Sequence, residues 1–331
     1  MKNRNSFPSV TLPGLHRKAF SGAGRRACYA VLFLFLVFMS ACATIPKGTV
    51  DAEMGDFDLL PEGGLMYLWA DIHETRPLLE SISFDGLDLK KAGSILDRSN
   101  TAAAVFSGAE SGERFFVDLR GKYPTFQAGF SMTFSKDWKK NKSQTGNSYW
   151  YSDSYGVGVA LDSQQALVSG SDPFLRLPSA RDLHAVLVPE GFMEFRTGAV
   201  LSGWIPDPQD TVNKFLTALG VPIQLPAEDF FFNVFKGKDD EGNEEWELVF
   251  RIRTESANQA RGLVTIFSLA RAFIVNFSGS GAAEKKELTD FLPVLFYNQP
   301  QRDEEILTLR SAIFSAGDLA LLFNAISLYS N

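Results

Sequence analysis

The chain has 331 residues, 13% of them aromatic with 29 Phe, and a formal net charge of −7. That is enough material for one large core or two moderate ones, built without a disulfide framework, because the only cysteines are Cys28 and Cys42. An acidic body repels phosphate backbones at long range, which argues against nucleic acid as a partner.

The first element in chain order is Tyr29–Met39, eleven apolar residues followed by Ser40, Ala41 and Cys42. A basic, acid-free segment ending in Arg25 and Arg26 precedes it. Basic, then apolar, then small is the order of a secretory signal. The run falls short of the roughly 20 apolar residues needed to span a bilayer. Met39-Ser40-Ala41-Cys42 resembles the bacterial lipobox, with Met where Leu is usual. The resemblance implies a signal peptide over 1–41, cleavage before Cys42, and acyl chains such as palmitate on Cys42. Ala43 in place of the Asp retention signal of enteric lipoproteins points to the outer membrane. Losing the leader removes six basic residues and no acidic ones, so the net charge becomes −13. It also removes Cys28, and with Cys42 acylated the body has no thiol for nucleophilic catalysis or metal binding.

Residues 42–62 are polar, acidic and punctuated by proline, and read as a flexible tether. A strand is expected at Leu65–Ile72. Thr75 is expected to cap a helix with Pro77 in its first turn. A second helix is expected over Asp88–Asp97, then strands at Ala102–Phe106 and Arg114–Arg120. Pro124–Phe134 reads as a helix with Phe126, Phe130 and Phe134 on one face. Short strands follow at Ser148–Ser152, Gly156–Leu161 and Ala166–Ser169. The Pro- and charge-rich stretch 171–182 reads as a linker. Beyond it, strands are expected at Ala185–Pro189 and Met193–Trp204. A helix capped by Asp210 should run over Thr211–Leu219. Strands Asp229–Phe235 and Glu245–Arg253 come next, then helices over Ser256–Val275 and Glu284–Leu292 and a strand at Ile306–Ile313. A final helix spans Gly317–Leu328, with Ser315 and Asp318 as a capping box.

An offset of 133 residues aligns Ile72 with Ile205 and Leu79 with Val212, and Val117–Ser135 with Phe250–Ser268. Within the longer block Arg120/Arg253, Gly129/Gly262, Phe134/Phe267 and Ser135/Ser268 are identities. The expected fold class is therefore α+β, with two duplicated halves, 63–172 and 183–331. Each half should be a mostly antiparallel sheet with helices packed on one face, Gly129 and Gly262 allowing close helix–sheet approach.

Sites of known chemistry are sparse. His73 lies in Asp71-Ile-His-Glu74, where a zinc-protease signature would need a second His at 77, which is Pro77. His184 stands alone at a strand start. There is no nucleophile elbow, P-loop or dinucleotide fingerprint. Asp239, Glu241, Asn243 and Glu245 alternate around Gly242 but read as a solvated hairpin turn, not a calcium loop. These absences indicate a non-enzyme without metal or cofactor. The candidate contact residues are Leu319, Leu322, Phe323 and Ile326, an apolar stripe at helical spacing. That stripe packs in the core or lies against lipid.

A lipidated body with duplicated α/β halves and apolar helices resembles a group of spirochaetal outer-membrane lipoproteins. The resemblance implies an envelope location and helices able to insert into lipid, and carries over no site residue. The expected function is a non-enzymatic, membrane-anchored lipoprotein of the cell envelope. Its partners are membrane lipid, through the acyl anchor, and an envelope protein. The alternative is a carrier holding an apolar ligand, with a hydrolase a more distant third.

Overall fold

One row of paired strands carries the whole architecture. The computed structural model describes residues 55–81, 93–107, 115–175, 177, 186–211, 213, 224–277, 294, 297–315 and 317–318, all within the unit Ala43–Asn331. The strands are β1 (Met66–Asp71), β2 (Ser99–Phe106), β3 (Phe115–Gly121), β4 (Lys139–Lys142), β5 (Ser148–Ser152) and β6 (Val157–Leu161). They continue with β7 (Gln165–Ser169), β8 (Leu201–Ile205), β9 (Asp229–Lys238), β10 (Glu244–Arg253), β11 (Gln301–Asp303) and β12 (Ile306–Arg310). They form a single 12-stranded sheet in the order β11-β12-β10-β9-β8-β1-β2-β3-β7-β6-β5-β4. Every pairing is antiparallel.

The helices described end to end are α1 (Ile72–Ser81), α2 (Gly93–Leu96), α3 (Thr125–Phe134), α4 (Phe192–Phe195) and α5 (Ala257–Phe277). Four of them share one face of the sheet. Leu78 of α1 packs with Leu201, Phe232 and Trp246, and Leu96 of α2 with Ala70. Ala128 and Met132 of α3 meet Leu119 and Val159. Leu263 and Phe267 of α5 meet Ile252 and Leu307. Strand alternation sends the neighbouring side chains to the opposite face. There Phe57, Tyr67, Phe192, Trp204 and Phe231 make an aromatic core, with Tyr67 stacked on Trp204 at 4.7 Å. Fully burying each such ring contributes roughly 1.5–3 kcal/mol.

Several expectations change here. The segments expected as two halves share one continuous sheet, joined where β1 pairs with β8. The tether read as reaching residue 62 is docked from residue 55 onward, because Phe57, Leu59 and Leu60 are buried on the aromatic face. The strand expected from Met193 begins only at Leu201. Residues 192–195 form a helical turn instead, flanked by Gly191 and Gly198, both in the left-handed region that favours glycine. The stretch 186–189 is irregular rather than a strand.

Both early helix caps lie upstream of the expected ones. Asp71 Oδ1 accepts the Glu74 amide at 3.1 Å, so Asp71 and not Thr75 caps α1. Asp207 Oδ1 accepts the Asp210 amide at 3.2 Å, and the helix starts at 208. An aspartate at the end of a strand or just past it is placed to offer its carboxylate to the third amide of the next helix. Gly129 and Gly262 both lie on helices, α3 and α5. Gly129 is buried. Gly262 is exposed with open space around it, so close approach does not explain it.

Candidate functional site

The sequence-derived contact residues Cys42, Leu319, Leu322, Phe323 and Ile326 lie outside the described residues, as do His184 and the helix expected at Glu284–Leu292. Just before the C-terminal stripe, the Ser315 hydroxyl accepts the Asp318 amide at 3.3 Å. Asp318 Oδ2 in return accepts the Ser315 amide at 3.1 Å, which is the reciprocal capping pattern. His73 is exposed on α1.

In the hairpin turn after β9, Asp239 accepts the amides of Glu241 and Asn243 at 2.9 and 2.7 Å. Its second oxygen accepts Asn243 Nδ2 at 2.8 Å. The Asn243 hydrogen bond is the chief cause holding its carboxyl below the usual range. Those oxygens serve the turn itself. Among the described residues no three His, Cys, Asp or Glu side chains converge as metal ligands.

The most exposed apolar feature on a described helix is α3. Its sequence, TFQAGFSMTF, carries no charge. The side toward the sheet carries no aromatic ring: Gly129 is buried, flanked by Ala128 and Met132. The larger rings are therefore displaced to the other side. Phe126 and Phe130 have ring centroids 6.0 Å apart, and Phe130 and Phe134 4.5 Å apart. Phe130 is 47% and Phe134 73% exposed. The i, i+4, i+8 spacing was legible in the sequence, but its outward direction was not. The signal that could have shown it is the Ala128-Gly129 pair on the opposite side, where the backbone approaches the strands.

The end of α3 is fixed. The Thr133 hydroxyl donates to the Gly129 carbonyl at 2.6 Å and lies 3.3 Å from Trp150 Nε1, which donates to it from β5. Beyond α3 come Lys136 in the connector and Lys140 on β4, a strand packed beside α3, while Lys139 stands across from Tyr151 on the opposite face. Lys140 lies 5.3 Å above the Trp150 ring. Lys139 pairs with Asp153, and that bond raises its pKa. An uncharged aromatic ridge followed by ammonium groups is a chemistry suited to a bilayer interface, rings in the acyl boundary and lysines among phosphates. Among the described residues no helix is long and apolar enough to cross a membrane.

The fold defines a class: one wide antiparallel sheet with most of its helices on a single face. No family model and no curated protein matches the chain. Among solved structures it is similar to TP0453, a Treponema outer-membrane lipoprotein. Crystal form III is 14% identical, covers 83% of this chain and 100% of that one, and gives a TM-score of 0.54. Form IV is 14% identical, covers 82% and 98%, and gives 0.55. Form I is 14% identical, covers 84% and 100%, and gives 0.53. At this identity the likeness is one of fold.

Proposed function

We propose that the chain is a non-enzymatic lipoprotein of the cell envelope, anchored through acylated Cys42, that engages membrane lipid with its α3 ridge. The observation that carries the reading is the exposed Phe130–Phe134 row beside Lys136 and Lys140, in a body that is otherwise acidic. The lipobox-like Met39–Cys42 and the fold shared with an outer-membrane lipoprotein support the envelope location. We also read the sheet as two duplicated halves. The strand order β10-β9-β8-β1-β2-β3 runs symmetrically outward from the β1–β8 pairing, which supports that reading.

Residues 43–331, made without the leader, are mixed with vesicles containing phosphatidylglycerol, and flotation is measured. Phe130→Asp with Phe134→Asp should abolish flotation. The melting temperature should stay within a few degrees, since exposed positions contribute little to stability. Flotation that survives the double substitution would sink the reading. Palmitate labelling that persists in Cys42→Ser would remove the anchor from it.

A further inference from the structure

The opposite face of the sheet holds, near its β4 edge, a second feature that the lipid reading does not use. An open cleft of about 470 Å³ is lined by Asn141, Lys142, Gln144, Tyr149, Tyr151, Ser171, Asp172 and Leu175. Its floor is β5, where Tyr149 and Tyr151 alternate with Trp150 and so point to the same side. Both are half-buried.

One wall exists because of a missing side chain. Gly158 stands opposite Tyr151 on β6. A Cβ there would lie 1.9 Å from the Ser171 carbonyl oxygen and 3.1 Å from Pro173 Cδ. The 171–175 turn can therefore lie directly on the strand, which brings Asp172 and Leu175 beside the tyrosines. Asp172 Oδ1 accepts the Phe174 amide at 2.9 Å, and its carbonyl accepts the Leu175 amide at 3.1 Å. Phe174 is buried beneath. The other wall is the β4–β5 loop. Its Ser143 is buried, sits 2.6 Å from the Thr145 hydroxyl and accepts the Asn147 amide at 3.1 Å. Both walls are thus held by their own hydrogen bonds before any ligand arrives.

We infer that this cleft binds a neutral oligosaccharide. Two phenol rings in a row along a strand, about 7 Å apart by strand geometry, offer a platform for the apolar faces of successive pyranose rings. Each sugar hydroxyl both donates and accepts. Asn141 and Gln144 supply both functions in one planar group, and Asp172 supplies strong acceptors. Asp172 and Lys142 carry opposite formal charges, so the lining selects for no net charge on the ligand. The shallow, open form suits a chain lying across the surface rather than a small cation enclosed on all sides. Burial, and then the Asp172 charge, push the Tyr149 hydroxyl pKa up, opposed by its hydrogen bond with Asn141.

The test uses the full chain in a detergent without a sugar headgroup, titrated by calorimetry with cellotetraose and with chitotetraose. At least one should bind saturably, with a Kd of about 1 mM or tighter. Tyr149→Ala and Tyr151→Ala should each weaken binding about tenfold, while Tyr149→Phe, which keeps the ring, should retain most of it. Tyr297→Ala, at an exposed tyrosine outside the cleft lining, should change nothing. Near-ultraviolet circular dichroism of each variant separates lost binding from lost fold. The inference is overturned if neither tetrasaccharide binds, or if binding survives both alanine variants. It is equally overturned if choline chloride alone binds the cleft, which would make it a cation site.

Discussion

Trp69 stands directly opposite Ser202 across the β1–β8 junction, and the two are separated in sequence by 133 residues, the offset that aligns the halves. On the duplicated reading, equivalent positions face one another at the centre of the sheet. Among the described residues, neither Trp69 Nε1 nor the buried Ser202 hydroxyl has a hydrogen-bond partner.

The first prediction follows from that hydroxyl. A buried polar group without a partner costs its desolvation and gains nothing back. Ser202→Ala should therefore raise unfolding stability by about 1 kcal/mol in a urea titration. A loss of that size would show that the hydroxyl is bonded in the folded state.

The second concerns Asp118, buried on β3. Burial pushes its carboxyl up from the ordinary value, opposed by the Arg120 charge and by the bond from Gln165. Gln165 Nε2 donates to Oδ1 at 2.6 Å. With the folded pKa above the unfolded one, the native state holds the extra proton. Stability from this group is gained as pH falls through the raised pKa and is lost as pH rises through it. Compared with Asp118→Asn, the unsubstituted chain should gain stability between pH 7 and 4. A difference that stays flat or reverses sign across that window would refute it.

The third concerns the C-terminal stripe, beyond the described residues. If Leu322 is docked in a core, Leu322→Ala costs about 2–5 kcal/mol and leaves vesicle flotation unchanged. If the stripe meets lipid, Leu322→Asp lowers flotation with the melting temperature intact. Docking is the expected outcome, because Asp318 is the only charge in residues 312–331 and no cation is available for headgroups. Loss of flotation with unchanged melting would reverse it.

Strands with their own apolar alternation were legible from residues alone. β9 and β10 pair over ten residues, Asp229–Lys238 against Glu244–Arg253, nearly as their alternation suggests. β4 was not legible, since Lys139–Lys142 carries no strand-like residue and is held by its pairing with β5. Nor was the docking of 55–62, where Phe57, Leu59 and Leu60 are too few to form a periodic pattern but find Trp204 and Phe192 across long sequence distances. The cleft was missed for the same reason. Tyr149 and Asp172 lie 23 residues apart, and only the bare backbone at Gly158 lets them meet.

The two ends of the ladder have a consequence of their own. One terminates in lysines and the other in the three-residue β11, fully exposed. Open strand edges invite another chain to continue the hydrogen-bonding pattern, and like charges or very short strands discourage it. Copies crowded side by side would repel at one rim and find too little backbone at the other, so a twelve-strand sheet can exist at high surface density without polymerising.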